Sequence, residues 1–330
     1  MILKLERSVR SRTGSHAKPF LILNFSFIFM PATVDYLREL VYFSLRNANR
    51  KLTGLGGAGR EELETPNRFG EIPIRADVEC ESAVITHLIG AGIGIRLFTE
   101  EQKNRITDIG DESDFEFFGV LDGVDGSTAY KEDPHARCGT MFAIFEGPDP
   151  KFEDYLVSGI VDHYSGSVLL GAKGKGVIRR GIVENPNSFS ESEVTRSNQI
   201  TLLNQLRTGY IDEGFEFNTE AFAAVKREAP SKSIQYLRSS AAYYYDFAAG
   251  RAQLVLECTR QPVKDSLEIA VAYPLVHESG GVMVGPAGRD IGPQKVLEFG
   301  QEGHVPVISA CTMDLASSTL ARVPRDYRNV

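Results

Sequence analysis

The chain has 330 residues, 42% hydrophobic and 24% charged, a composition that supplies apolar material for one or two cores and excludes a largely disordered polypeptide. Its net charge of −8 excludes a binder of nucleic-acid backbone, which needs lysine and arginine gathered on one face. A small anionic ligand must therefore be held by a metal or by oriented backbone N–H groups.

Residues 1–29 combine a basic start (Lys4, Arg7, Arg10, Arg12) with the apolar run 20–29. Asn24 and Ser26 interrupt that run and no small-x-small cleavage site follows, which weighs against a signal peptide. It is also too short to span a bilayer, so no membrane contact is expected. We read 1–29 as an upstream extension of the reading frame outside the fold, with Met30-Pro31-Ala32-Thr33 as the natural start.

Thr33 can cap a helix over about 34–51, because Leu37, Leu40, Val41, Leu45 and Ala48 keep the i, i+3, i+4 spacing of one buried face. The glycine-bearing stretch from Thr53 to Pro66 has no sustained period and is expected to be a mobile loop; without a preceding strand or a following Gly-Lys-Ser/Thr it is a weak nucleotide loop. A second helix is expected from Asp77 to about Ile89, with Asp77 and Glu81 on one face. An aromatic strand over 115–121 then stops at Asp122.

Segments 138–145, 155–163 and 166–172 are β-rich and separated by turn residues, which predicts an antiparallel meander, with Lys173-Gly174-Lys175-Gly176 as a hairpin turn. The polar stretch 181–200 is the expected domain boundary. Beyond it, strands over 206–211, 233–237 and 254–257 alternate with helices near 219–228 and 241–249, the pattern of a layered α/β half. We therefore divide the fold into an α+β domain, 30–195, and an α/β domain, 196–330.

Cys80, Cys138, Cys258 and Cys311 form no Cys-x-x-Cys pair, and none of the six histidines forms a His-x-x-x-His pair, so zinc and disulfide frameworks are not indicated and a reducing, cytoplasmic setting is expected. Carboxylates are the available metal ligands. In Asp122-Gly123-Val124-Asp125-Gly126-Ser127 a carboxylate, a carbonyl and a second carboxylate leave a strand end, a hard-oxygen set suited to magnesium. If Gly126 and Ser127 open a helix, their N–H groups form an anion site beside the metal. An EF-hand counted from Asp122 fails, because Val124, Gly126 and Ser127 stand at its third, fifth and sixth positions and Asp133 at its twelfth. For one Asp-Gly, an ordinary turn would be the preferred reading; two in tandem after an apolar strand favour a metal site.

That segment resembles the metal motif Asp-Pro-Ile/Leu-Asp-Gly-Thr/Ser of the inositol monophosphatase and fructose-1,6-bisphosphatase superfamily, the magnesium-dependent, lithium-sensitive type of phosphatase, with Gly123 in place of the proline. Further stations follow in order. Ala76-Asp77-Val78-Glu79-Cys80-Glu81 is similar to Thr-Asp-x-x-x-Glu, and Thr99-Glu100-Glu101 to Gly-Glu-Glu. Arg238-Ser239-Ser240-Ala241 through Ala248-Ala249-Gly250-Arg251 is similar to Gly-Ser-Ala-Ala through Ala-Ala-Gly-Arg, and Glu278-Ser279-Gly280-Gly281 to the closing Glu-Ala-Gly-Gly. Counting back from Glu278 puts Leu267-Glu268 where the monophosphatases carry Trp-Asp; glutamate there resembles the fructose-bisphosphatase branch, and Asp265 is the reserve. Pro274 inside the expected helix calls for a kink or a late helix start.

The resemblance implies a five-layer αβαβα sandwich and metal-assisted hydrolysis of a phosphate monoester, inositol monophosphate or fructose 1,6-bisphosphate, with two or three Mg²⁺ ions. It implies Glu100, Asp122, the Val124 carbonyl, Asp125 and Glu268 as ligands of two ions, with Asp77 and Glu100 near a third. Asp77, Ser127 and Glu100 would be catalytic, Ser127 orienting water with Asp77. Gly126, Ser127, Arg238, Ser239, Ser240 and Glu257 would bind substrate, Glu257 at the place of a substrate-hydroxyl acid; Arg238 could meet a second phosphate or equally serve as a salt-bridged or surface arginine. Glu101 is read as a supporting or surface charge. A homodimer is also implied. The alternatives are a 3′-phosphoadenosine 5′-phosphate phosphatase and a non-catalytic metal- or phosphate-binding regulatory protein.

Overall fold

The computed structural model describes residues 3–5, 25–27, 33–67, 69–102, 104–110, 115–182, 191–194, 199–212, 216–259, 267–301 and 303–327. Contacts divide the chain into two units, Met1–Thr33 and Val34–Val330. In the first, β1 (Leu3–Leu5) pairs antiparallel with β2 (Phe25–Phe27).

The second unit opens with α1 (Val34–Leu55), which buries Leu37, Leu40, Val41, Leu45 and Ala48 as the spacing predicts. Leu52 continues that face, so the helix outruns its expected end and tightens into a 3₁₀ turn at Gly56–Arg60; the expected loop at 53–60 is helical. Next come α2 (Arg75–Ala91), ended by Gly92 in the left-handed region (φ 65°), then β3 (Ile95–Thr99), β4 (Ile106–Ile109), β5 (Phe117–Asp125) and the short α3 (Ser127–Glu132). The predicted meander follows as β6 (Gly139–Glu146), β7 (Tyr155–Asp162), β8 (Ser167–Ala172) and β9 (Val177–Gly181), with Gly174 and Gly176 at positive φ in the β8–β9 turn. β10 (Glu191–Glu193) pairs with β9; most of the polar boundary stretch lies outside the described residues.

The C-terminal half comprises β11 (Gly209–Asp212), α4 (Glu216–Ala221), α5 (Ala223–Glu228), β12 (Ile234–Leu237), α6 (Ser240–Ala248), β13 (Leu254–Cys258), α7 (Leu267–Glu278), β14 (Val282–Val284), β15 (Pro306–Ala310) and α8 (Met313–Leu320). Among the described residues the first sheet has the order β10-β9-β8-β7-β6-β5-β3-β4, antiparallel except where β3 meets β5. The second has the order β12-β11-β13-β15-β14, with β11 parallel to both its neighbours.

Helix composition explains the layering. α1 and α2, each with an exposed side, cover one face of the first sheet. α6 is buried along its whole length and α7 from Leu267 to Val276, as helices packed on two sides must be, and they fill the space between the sheets. Their core joins Phe118, Met141 and Ile160 of the first sheet to Val255 and Val307 of the second. α4, α5 and α8 close the outer face around Ile211, Phe222, Leu256, Ile308 and Leu315. The result is the expected αβαβα order.

One local feature departs from the sequence reading and a second narrows it. β5 does not stop at Asp122 but continues to Asp125, buried at all nine positions, with an irregularity in its pairing to β6. α7 runs through Pro274 without a late start. Proline cannot donate to the carbonyl one turn back, and beside that break the Ser158 hydroxyl donates to the Val271 carbonyl at 2.6 Å.

Candidate metal centre

The end of β5 carries the acids. Asp122 pairs with Met141 and Asp125 with Gly139, so three steps on β5 oppose two on β6 and the extra residue forms a bulge. Gly123, where the resembled motif has proline, lies directly on the first turn of α2: a Cβ there would sit 2.3 Å from the Asp77 carbonyl oxygen. Gly126 turns the chain at φ 84°, with Ser239 against it, and α3 opens at Ser127.

Around this turn a cleft of about 430 Å³ is lined by Asp77, Glu100, Glu101, Asp122, Val124, Asp125, Gly126, Ser127, Asp212, Arg238 and Glu268, with Asn67, Glu71, Ile72 and Pro73 along one wall. Asp122, Asp125 and Glu268 each offer a carboxylate oxygen within 4.8 Å of the other two, and all three are buried. Asp122 is pushed well above the ordinary carboxylate range by burial first, then by Glu100, Asp125, Glu268 and Asp77. Such a set of hard oxygens, with the cost of gathering like charges already visible at Asp122, fits a divalent cation.

Hydrogen bonds hold Asp125, Asp77 and Glu81 in place. Asp125 Oδ2 accepts from Ser239 Oγ at 2.8 Å and from Ala241 N–H at 2.7 Å; Ser239 in turn caps α6 by accepting from Ala242 N–H. Asp77 Oδ2 accepts the Ile74 N–H at 2.9 Å at the start of α2. Glu268 stands in the first turn of α7. Glu81, fully buried, accepts from Gln102 Nε2 at 2.6 Å and Glu101 N–H at 3.2 Å, and so ties α2 to the Glu100–Glu101 segment; burial raises its pKa to about 7.

Not every expected substrate residue reaches the cleft wall. Among the described residues Ser239, Ser240 and Glu257 are not in its lining. Glu257 is buried and accepts hydroxyls from Tyr243 (2.9 Å) and Tyr244, with its pKa raised to about 8 chiefly by burial. Ser240 Oγ is 2.6 Å from the Tyr243 hydroxyl. Asp265 lies outside the described residues.

Two acids that line the cleft were not among the expected site residues. Asp212, 2% exposed, ends β11, and the C-terminal end of a parallel strand is where an α/β sheet offers ligand groups, a signal that could have found it. Glu101, read as a supporting or surface charge, is pushed to about 8 by burial and then by Glu100, Asp77 and Glu81.

No protein-family model and no curated protein sequence matches the chain. Solved structures do. The Thermotoga maritima IMPase aligns over 89% of this chain and 98% of its own at 15% identity with a TM-score of 0.63. The Anabaena inositol monophosphatase aligns over 88% and 97% at 17% identity and 0.62, and Leishmania major fructose-1,6-bisphosphatase over 90% and 96% at 15% identity and 0.64. The likeness covers nearly the whole of each of these proteins while sequence identity stays low, and it bears out the resemblance at the level of fold: this chain has the fold of the inositol monophosphatase and fructose-1,6-bisphosphatase superfamily.

Proposed function

We propose that the chain is a magnesium-dependent phosphatase of a small phosphate ester, with Asp122, Asp125, Glu268, Glu100 and the Val124 carbonyl as metal ligands and Asp77 beside them. The observation that carries this reading is the approach of Asp122, Asp125 and Glu268, brought from positions more than 140 residues apart to within 4.8 Å at a cleft also lined by Glu100 and Asp77. Bound magnesium would supply charge neutralisation of the phosphoryl group and an acidified water.

The chain's own residues do the rest. Ser239 and the Ala241 N–H hold the Asp125 carboxylate in one orientation, so it does not reorganise when substrate arrives. Gly126 and Ser127 offer N–H groups at the opening of α3 to phosphate oxygens, and the Ser127 hydroxyl, with Asp77 across the cleft, orients the attacking water. Arg238, about half exposed on the cleft wall and 4.0 Å from Glu132, would give a second anionic group a partner and so favour fructose 1,6-bisphosphate over inositol monophosphate.

The test is phosphate release from inositol 1-phosphate, fructose 1,6-bisphosphate and 3′-phosphoadenosine 5′-phosphate, with magnesium and with chelator. Magnesium-dependent release, fastest from the bisphosphate sugar, is expected. No release from any of the three would overturn the catalytic reading and leave the regulatory alternative.

A further inference from the structure

The β5 bulge that carries the acids is itself held from the side. Between the Asp122–Met141 and Asp125–Gly139 pairs the register skips Gly123 and Val124 on β5 and Thr140 on β6. A bulge withdraws ladder hydrogen bonds, and in a fully buried strand the freed groups need other partners. The Thr140 hydroxyl, with the residue fully buried, donates to the Gly123 carbonyl at 2.6 Å. A carbonyl only accepts, so the single hydroxyl proton of Thr140 is committed there.

That commitment fixes the next link. His163 Nε2 lies 3.0 Å from Thr140 Oγ1, and since the hydroxyl proton points to Gly123, Nε2 must be the donor. Burial holds the ring neutral, with its pKa lowered to about 3, so Nδ1 carries a lone pair. Nδ1 lies 2.9 Å from the position of Asn49 Oδ1; the oxygen and nitrogen of a side-chain amide are interchangeable in position, and a lone pair on Nδ1 calls for the turned amide, with its NH₂ donating there. Every donor in the series has one acceptor, and the series runs from α1 through the end of β7 to the peptide between the two acids.

We infer that Thr140 and His163 are positioning residues of the metal centre: the Asn49–His163–Thr140 series locks the Gly123 carbonyl and thereby sets how Asp122, the Val124 carbonyl and Asp125 converge. This rests on the metal-centre reading above. Neither side chain lines the cleft, so neither touches metal or substrate directly. Partners that orient metal ligands from behind typically matter by about 10–100-fold in metal affinity.

The experiment is a calorimetric magnesium titration of wild type, Thr140→Val, Thr140→Ser and His163→Leu, each with its urea midpoint. Thr140→Val keeps the shape and removes the hydroxyl; its magnesium dissociation constant is expected to rise about tenfold or more. Thr140→Ser, which retains the hydroxyl, should restore most of the affinity, and His163→Leu should fall between. In turnover, Thr140→Val should raise the magnesium concentration for half-maximal rate more than it lowers the rate at saturation. Thr140→Val binding magnesium like wild type, or losing only folding stability, overturns the inference, as does equal loss in Thr140→Ser. A wild type that takes up no magnesium defeats the metal-centre reading itself, and this inference with it.

Discussion

Gly123→Ala tests how tightly the acidic turn is seated on α2. The added Cβ would lie 2.3 Å from the Asp77 carbonyl oxygen, 3.2 Å from its carbon and 3.3 Å from Glu81 Cβ. That first distance falls roughly 1 Å short of van der Waals contact. The closest atom is helix backbone and cannot swing aside as a side chain could, so either the first turn of α2 or the bulge must move. Overpacking a well-filled interior costs roughly 1–3 kcal/mol, and a backbone neighbour puts this site near the upper end. The movement also separates Asp77 from Asp122, so magnesium affinity should fall along with stability. Urea unfolding and magnesium titration read the two effects, with Gly57→Ala as the control because no atom lies within 4 Å of its added Cβ. The control should stay within about 1 kcal/mol of wild type. A Gly123→Ala protein that matches Gly57→Ala in both midpoint and metal affinity would show that the acidic turn is not seated tightly on α2.

Three further outcomes are expected. Glu257, with its pKa raised from 4.5 to about 8, keeps a proton in the folded state that the unfolded chain releases, so its contribution is complete below about pH 4.5 and is lost as pH rises through 8. Glu257→Gln lacks that loss and should gain about 1–3 kcal/mol relative to wild type between pH 5 and 8 by urea unfolding, below the limit of roughly 1.4 kcal/mol per pKa unit; parallel curves would contradict it. Ser239→Ala removes both the cap of α6 and a bond to Asp125, so about 1 kcal/mol of stability and about tenfold in magnesium affinity should go together, and Ser239→Thr should recover both. Arg238→Ala should raise KM for fructose 1,6-bisphosphate severalfold, on the order of 1 kcal/mol of binding, and leave inositol 1-phosphate kinetics unmoved; equal effects on both would remove Arg238 from substrate selection.

What the sequence disclosed and what it hid follow from the range of the interactions. The buried face of α1 was legible because side-chain spacing alone defines it. Asp122 and Asp125 were legible from two Asp-Gly steps after an apolar strand, and Glu268 from its distance to Glu278. The bulge was not, because it exists only in the pairing of β5 with β6. Nor was the helical path through Pro274, beside which Ser158 of a distant strand donates to the Val271 carbonyl. Asp212 looked like any strand-end acid until the parallel arrangement of β11 brought it to the cleft. Glu257 shows the opposite case: its position in sequence matched a substrate acid, while the adjacent tyrosines that cage it are neighbours only because α6 packs on β13.

Asp122, Asp125 and Glu268 are proposed to form one metal centre that hydrolyses phosphate esters. The most direct test is phosphate release from fructose 1,6-bisphosphate by wild type and Asp125→Asn, each in magnesium and in chelator. Wild type is expected to release phosphate in magnesium alone, with Asp125→Asn at least a hundredfold slower, the loss of about 3 kcal/mol of transition-state stabilisation. Release that persists in chelator, or an Asp125→Asn protein as fast as wild type, would contradict it.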